Sequence, residues 1–320
     1  MLRLVQLAVY SLSEESSDER RLEVSPSLGD WDTPFLRTLL IVWVAILVPL
    51  LALGSAVYVA HRRFLRLVTC ELSSFFESSA STAEPKPMSR CEAPISLSFS
   101  NLTYWAPNGS QIIRDITGTI QPGQMVALMG PSGSGKTTCL DVIAGRRRSS
   151  GKTSGSIHVN GNDLRHPKAF ASFQQNSAYM LQLAEAFVSV LTVRENLCYS
   201  ALLRLPTQMS MSERLARVNE VIDACDLRAI ADVRVGSSVG GGISGGQKRK
   251  LMLATELLSR PSLLFLDEPT SGLDATSAQS VINSVRLICL SGRSAVITIH
   301  QPRASLFALF DKLLLLYQGA

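Results

Sequence analysis

The sequence predicts an α/β domain built on a parallel sheet, with one membrane-spanning helix ahead of it. Three observations carry that prediction. Short apolar runs such as Val126–Met129, Leu263–Leu266 and Ala295–Ile299 alternate with stretches of helical periodicity, the pattern of strands buried on both faces. One of these runs passes through a glycine-rich loop straight into a helical stretch, Thr138–Ala144. The segment from Thr38 to Ala60 contains no charged residue.

Taken in chain order, residues 1–37 are polar and mixed, with an acidic cluster at Glu14, Glu15, Asp18 and Glu19. Leu2–Tyr10 is apolar but short, and no clear small-residue cleavage site follows it, which argues against a removed signal. Residues 38–60 read TLLIVWVAILVPLLALGSAVYVA. At a rise of ~1.5 Å per residue this is long enough to cross a hydrocarbon core of ~30 Å. Pro49 and Gly54 are compatible with that, because membrane helices tolerate both. His61, Arg62, Arg63 and Arg66 follow. The positive-inside rule therefore places the chain after Ala60 in the cytosol and residues 1–37 outside, with lipid around the helix. Residues 61–94 read as a linker, rich in Ser, Pro, Ala and Glu from Ser73 onward. From Ile95 the apolar Ile95, Leu97 and Phe99 alternate with Ser96, Ser98 and Ser100, a strand pattern that opens a domain over residues 95–320. No internal repeat is evident.

Composition narrows the chemistry. The chain has 320 residues and a formal net charge of +5 without long runs of one sign, so nucleic acid is not an implied partner. The cysteines, Cys70, Cys91, Cys139, Cys198, Cys225 and Cys289, are scattered, with no CxxC pair and no nearby histidines. Zinc ligation and a disulfide framework are not indicated.

The loop Gly130-Pro131-Ser132-Gly133-Ser134-Gly135-Lys136-Thr137 fits G-x-x-x-x-G-K-[ST] in full, and Thr138 continues into the helix. Glycines let backbone N–H groups turn toward an anion without Cβ clashes, and the helix adds the positive end of its dipole. Lys136 is placed to reach β- and γ-phosphates, and the Thr137 hydroxyl to ligate Mg²⁺. By itself this loop specifies only a P-loop NTPase, a class that includes kinases, GTPases and helicases. A second anion site lies at Ile243-Ser244-Gly245-Gly246-Gln247, after the glycines 240–242 and before a helix with an apolar face at Leu251, Ala254, Leu257 and Leu258. Ser244 stands at that helix's N-terminus and the site has no lysine of its own. Leu263–Leu266 then ends in two carboxylates, Asp267 and Glu268, and an acid at the end of a buried strand suits Mg²⁺.

Together these residues resemble the ATP-binding-cassette (ABC) ATPase family, whose signature LSGGQ stands here as ISGGQ. The resemblance implies an ABC-type nucleotide-binding domain with a helical subdomain, and ATP and Mg²⁺ as its ligands. It assigns Tyr104 as the adenine-stacking aromatic, with Trp105 an adjacent candidate. Gln182, in Tyr179-Met180-Leu181-Gln182, is assigned to the Mg²⁺ environment beside Asp267, Asp274 of Ser271-Gly272-Leu273-Asp274 to the nucleotide, and His300 to the γ-phosphate. Glu268 is the implied general base. Two cassettes, in a homo- or heterodimer, would hold ATP between Lys136 of one and Ser244 of the other.

The stretches Leu191–Leu197, Phe265–Asp274, Ile299–Arg303 and Leu309–Asp311 are similar to the G subfamily of ABC transporters. After Gln182 this chain reads Leu183-Ala184-Glu185 where the subfamily commonly has two acids, and it ends at Ala320 where a permease would be expected. A permease domain is therefore expected in another chain or is missing from this one. The leading expectation is the ATPase part of a membrane transporter. The alternative is a membrane-anchored regulatory cassette that binds ATP and dimerises without transporting. A soluble ABC ATPase of DNA repair or translation would show a coiled-coil insertion, tandem cassettes or an iron–sulfur cysteine pattern, and the sequence has none of these.

Overall fold

The computed structural model describes residues 88–147, 150–181, 187–237, 241–317 and 319. The expected membrane helix at residues 38–60, the segment before it, the linker up to residue 87, and Gln182 lie outside the described residues. Among the described residues no helix is long and apolar enough to cross a membrane.

The first sheet is antiparallel. Strands β1 (Leu97–Trp105), β2 (Gln111–Ile120), β4 (Lys152–Val159) and β5 (Asn162–Asp163) lie in the order β2-β1-β4-β5. The alternation that begins at Leu97 and Phe99 is interrupted at Asn101, whose φ is 51°, by a shift in register between Phe99 and Leu102. A bulge inserts one residue and so resets which side chains face inward. Leu102 and Tyr104 consequently join Leu97 and Phe99 in the core, where Leu140, Ile143 and Phe265 also lie.

The second sheet is wholly parallel. Its strands are β3 (Met125–Met129), β6 (Ser177–Met180), β9 (Leu263–Asp267), β10 (Ser294–Thr298) and β11 (Lys312–Leu315), in the order β11-β3-β10-β9-β6. The apolar runs read from the sequence are the inner strands β3, β9 and β10, which is why they lack polar alternation. At the edge, β11 alternates more and less exposed residues. Register sets up the site: Leu128 pairs with Thr298, and Thr298 with Asp267. The segments leaving β3, β9 and β10 therefore emerge side by side.

Helices α1 (Lys136–Ile143) and α2 (Pro167–Gln175) precede a helical group, α3 (Val193–Arg204), α4 (Met211–Ala224) and α5 (Gly245–Leu257), with a short β7–β8 hairpin (Gly236–Ser237, Gly241–Gly242) before α5. Each of these three helices starts with the same device. Thr192, Ser210 and Ser244 accept from the backbone N–H three residues on, while Glu195, Glu213 and Gln247 return a bond to the cap residue's N–H. These reciprocal boxes satisfy donors that a helix start leaves unpaired. At the other end of α5 the buried Arg217 donates to the carbonyls of Leu257 and Leu258. Helices α6 (Ala275–Leu290) and α7 (Ala304–Phe307) complete the described fold.

Candidate functional site

Helix α1 begins without the usual chemistry of a helix start. Its cap is Gly135, left-handed at φ 91°, and no side chain caps it. The next residue is Lys136, a cation at the positive end of the helix dipole, and the first turn has no acid. A missing side-chain cap and a cation in place of an acid in the first turn are unfavourable for an isolated helix and favourable for an anion held at its N-terminus. A Cβ on Gly130 would stand 2.3 Å from the Leu316 carbonyl and 2.6 Å from Ser134 Oγ, whereas one on Gly133, at φ +78°, would meet nothing within 4 Å. The loop is thus tight against the sheet and open above Gly133. Pro131 and Ser132 are exposed on it, and Thr138 is half-buried. Lys136 is buried, and its Nζ donates to the carbonyls of Gly130 (3.0 Å) and Pro131 (2.9 Å). Ser134 Oγ is buried without a hydrogen-bond partner. A cradle of this shape, carrying a cation and an unmet hydroxyl, fits a polyphosphate.

Strands β9 and β10 bring the remaining groups to this loop. Thr137 Oγ1 donates to Asp267 Oδ1 at 3.1 Å across 130 residues of sequence. Asp267 is buried, whereas Thr137 is exposed. The oxygens of Thr137 and Asp267 suit Mg²⁺, which commonly takes one or two protein oxygens and completes its octahedron with phosphate and water. This fits the finding that, among the described residues, no cluster of three or more His, Cys, Asp or Glu could hold a metal unaided. Glu268 follows at φ 45°, a left-handed backbone that is uncommon for a non-glycine residue and tends to cluster at functional sites. His300, exposed beyond β10, lies with Nε2 3.3 Å from Ser132 Oγ. Loop, carboxylates and histidine, far apart in sequence, therefore share the end of the parallel sheet where β3, β9 and β10 terminate.

One residue at this end of the sheet carries no motif signal. Thr298 is fully buried; its hydroxyl donates to Asp267 Oδ1 (2.7 Å) and accepts from the Glu268 N–H (2.7 Å). In the sequence it is one more β-branched residue in an aliphatic strand, and only its polarity at a buried position marks it out.

Tyr104 departs from the expectation. It is fully buried, and its hydroxyl donates to the Ser150 carbonyl at 2.8 Å under Gly151, whose φ of +82° lets the backbone close over it. The bulge in β1 turned Tyr104 inward, so its ring has no face to offer a base. Trp105, directed to the other side, is half-exposed, with Lys152 Nζ 5.8 Å from its ring centroid. It borders an open depression formed with Ala106, Pro107, Gly109 and Gly151.

The start of α5, where the sequence suggests a second anion site, is built differently. Ser244 Oγ accepts from Gln247 N–H (3.2 Å) and Gln247 Oε1 from Ser244 N–H (2.8 Å), so both side chains are committed to the start of α5. Gly245 is exposed. Gly246 is buried, and a Cβ there would stand 2.8 Å from that of Ser277 at the start of α6. Asp274 caps α6; a hydrogen bond from the Ser277 side chain, with further bonds from the Ser277 and Thr276 N–H groups, holds its carboxyl below the usual range. Among the described residues no hydrogen bond joins residues 244–247 to residues 130–138.

Comparison with known proteins agrees with this architecture. Residues 113–271 match the family model described as ABC transporter. A probable ATP-dependent permease of Saccharomyces cerevisiae is 44% identical over 230 residues, covering 70% of this chain and 21% of the relative. ABC transporter G family member 43 of Arabidopsis thaliana is 41% identical over 230 residues, covering 71% and 16%. The broad substrate specificity ATP-binding cassette transporter ABCG2 of Bos taurus is 43% identical over 209 residues, covering 65% and 31%. The chain thus spans less than a third of the length of these relatives.

Proposed function

We propose that this chain, which carries an ABC transporter ATP-binding domain with G-family relatives and is in that respect an ATPase, hydrolyses ATP to drive transport through a membrane domain. The observation that carries the reading is the convergence of Lys136, Thr137, Asp267 and His300 at one end of the parallel sheet from three separate strands. The loop amides and Lys136 would bind the phosphates, with the ammonium exchanging the Gly130 and Pro131 carbonyls for phosphate oxygens. Thr137 and Asp267, with Gln182, would hold Mg²⁺, which when bound neutralises phosphate charge. Glu268 would take the proton of the attacking water, and His300 would contact the γ-phosphate. Most of the acceleration then comes from positioning and charge neutralisation. Trp105, in place of Tyr104, would stack on the base.

Ser244, Gly245, Gly246, Gln247 and Asp274 complete the site on a second cassette, identical or related, in this reading. The start of α5 at Ser244, which among the described residues makes no hydrogen bond to the phosphate loop of its own chain, supports a head-to-tail pair. Residues 38–60 would cross the membrane, with the cassette of residues 95–320 on the cytosolic side. Extraction with alkaline carbonate should leave the chain in the membrane pellet, and its release would remove the anchor from the proposal.

The decisive variant is Glu268→Gln, which keeps shape and removes the base. Phosphate release should fall by roughly 10²–10⁴-fold, the range for a general base. ATP binding should persist, and ATP should hold two chains together on sizing chromatography. An unchanged rate would displace Glu268 from its role. An unmodified chain that binds ATP and pairs, yet releases no phosphate, would overturn the hydrolytic reading.

A further inference from the structure

Strand β10 is buried along its whole length, yet it carries hydroxyls at both ends, Ser294 and Thr298, each with no exposed surface. A buried hydroxyl is costly unless bonded, and valine has the same shape as threonine and suits a strand equally well. Each hydroxyl should therefore have a task. That of Ser294 is local. It donates to the Gln121 carbonyl (2.9 Å) and accepts from the Gly123 N–H (3.1 Å), fixing the turn that leads into β3. It lies at the end of the strand away from the site.

Thr298 stands at the other end, where β9 delivers Asp267 and Glu268. Its single proton goes to Asp267 Oδ1, and its lone pair receives the Glu268 N–H, both at 2.7 Å. Asp267 Oδ1 also receives Thr137 Oγ1 at 3.1 Å. One hydroxyl thus fixes the rotamer of the first carboxylate and the backbone of the residue bearing the second. That backbone is left-handed at φ 45°, a conformation that persists only where its surroundings hold it. The Glu268 N–H bond to Thr298 is part of that hold.

We propose that Thr298 is a positioning residue for ATP hydrolysis: it sets Asp267 for the metal and holds Glu268 in the backbone turn from which its carboxylate acts. The proposal rests on the reading of Asp267 and Glu268 given above. It adds a third group to that pair, one that touches neither nucleotide nor metal and acts through both carboxylates.

The test compares Thr298→Val, which removes only the hydroxyl, with Thr298→Ser, which restores it, and with Ser294→Ala as a control for the loss of a buried hydroxyl in the same strand. Without nucleotide, hydrogen exchange at the Glu268 amide should be faster in Thr298→Val than in the unmodified chain and unchanged in Ser294→Ala. With nucleotide, Thr298→Val should need more Mg²⁺ for half-maximal ATP binding and should lower kcat. Both changes should be roughly 10–100-fold, the range for a residue supporting a metal ligand. ATP affinity without Mg²⁺ should stay within about twofold, since Lys136 and the loop are untouched, and Thr298→Ser should recover most of kcat. Equal amide protection in Thr298→Val and the unmodified chain would overturn the proposal whatever the activity. So would a parallel fall in kcat and Mg²⁺-free affinity, or a serine variant no better than valine. Failure of the functional reading is distinguishable: the unmodified chain itself would then release no phosphate.

Discussion

Helices α1 and α5 both begin in glycine-rich turns, and they begin in opposite ways. The start of α1 is open: a left-handed glycine cap, no capping side chain, a lysine where the dipole disfavours one, and a buried hydroxyl on Ser134 without a partner. The start of α5 is closed: Ser244 and Gln247 satisfy each other's backbone donors in a full capping box. The open end is organised for a ligand before any second molecule arrives. The closed end is stable without one, because its capping box already satisfies the N–H groups of Ser244 and Gln247. Lys136 and the loop should therefore govern how tightly one chain holds nucleotide, and Ser244 whether two chains share it.

The strongest challenge to this contrast is Lys136→Ala. A hydrogen bond from a charged group contributes about 1.5–3 kcal/mol, so ATP affinity measured on a single chain should fall by roughly 10–100-fold. Equal affinity by titration would mean that the α1 start is not the phosphate site. Next comes Gly246→Ala. The added methyl would lie 2.8 Å from the Ser277 Cβ, and overpacking of that kind should cost about 1–3 kcal/mol in urea unfolding. Single-chain ATP affinity should be unaffected, because the damage lies in the α5–α6 seam. A variant as stable as the parent would show that Gly246 is not kept for packing. The smallest effect belongs to Ser244→Ala. Losing the cap should cost about 1 kcal/mol of stability, leave ATP binding by one chain intact and abolish ATP-dependent pairing. Pairing at full strength would place the second phosphate contact elsewhere.

Much of this chain is legible because it is local. The phosphate loop is written in eight consecutive residues, and β3, β9 and β10 announce themselves as apolar runs because both of their faces are covered. The boxes at Thr192, Ser210 and Ser244 span four residues each and can be read from spacing alone. Other features resist such reading. Tyr104 was expected at the nucleotide from its place ahead of the loop, but the bulge at Asn101 turns it into the core and leaves Trp105 on the outer side. Thr298 resembles any β-branched strand residue until the register of β9 and β10 sets its hydroxyl against Asp267.

The sequence by itself determined the α/β class, the phosphate loop, the helix start at Ser244 and the identities of the charged groups. These depend on backbone preferences, capping chemistry and hydrophobic period, which act over a few residues. Tertiary structure alone decided the order β11-β3-β10-β9-β6 and with it the meeting of Ser132 with His300 and of Thr137 with Asp267. It also decided which of two adjacent aromatics was buried. Those outcomes depend on contacts between residues more than a hundred positions apart and on a one-residue slip in a strand. Side-chain direction alternates along a strand, so such a slip reverses which side chains are buried.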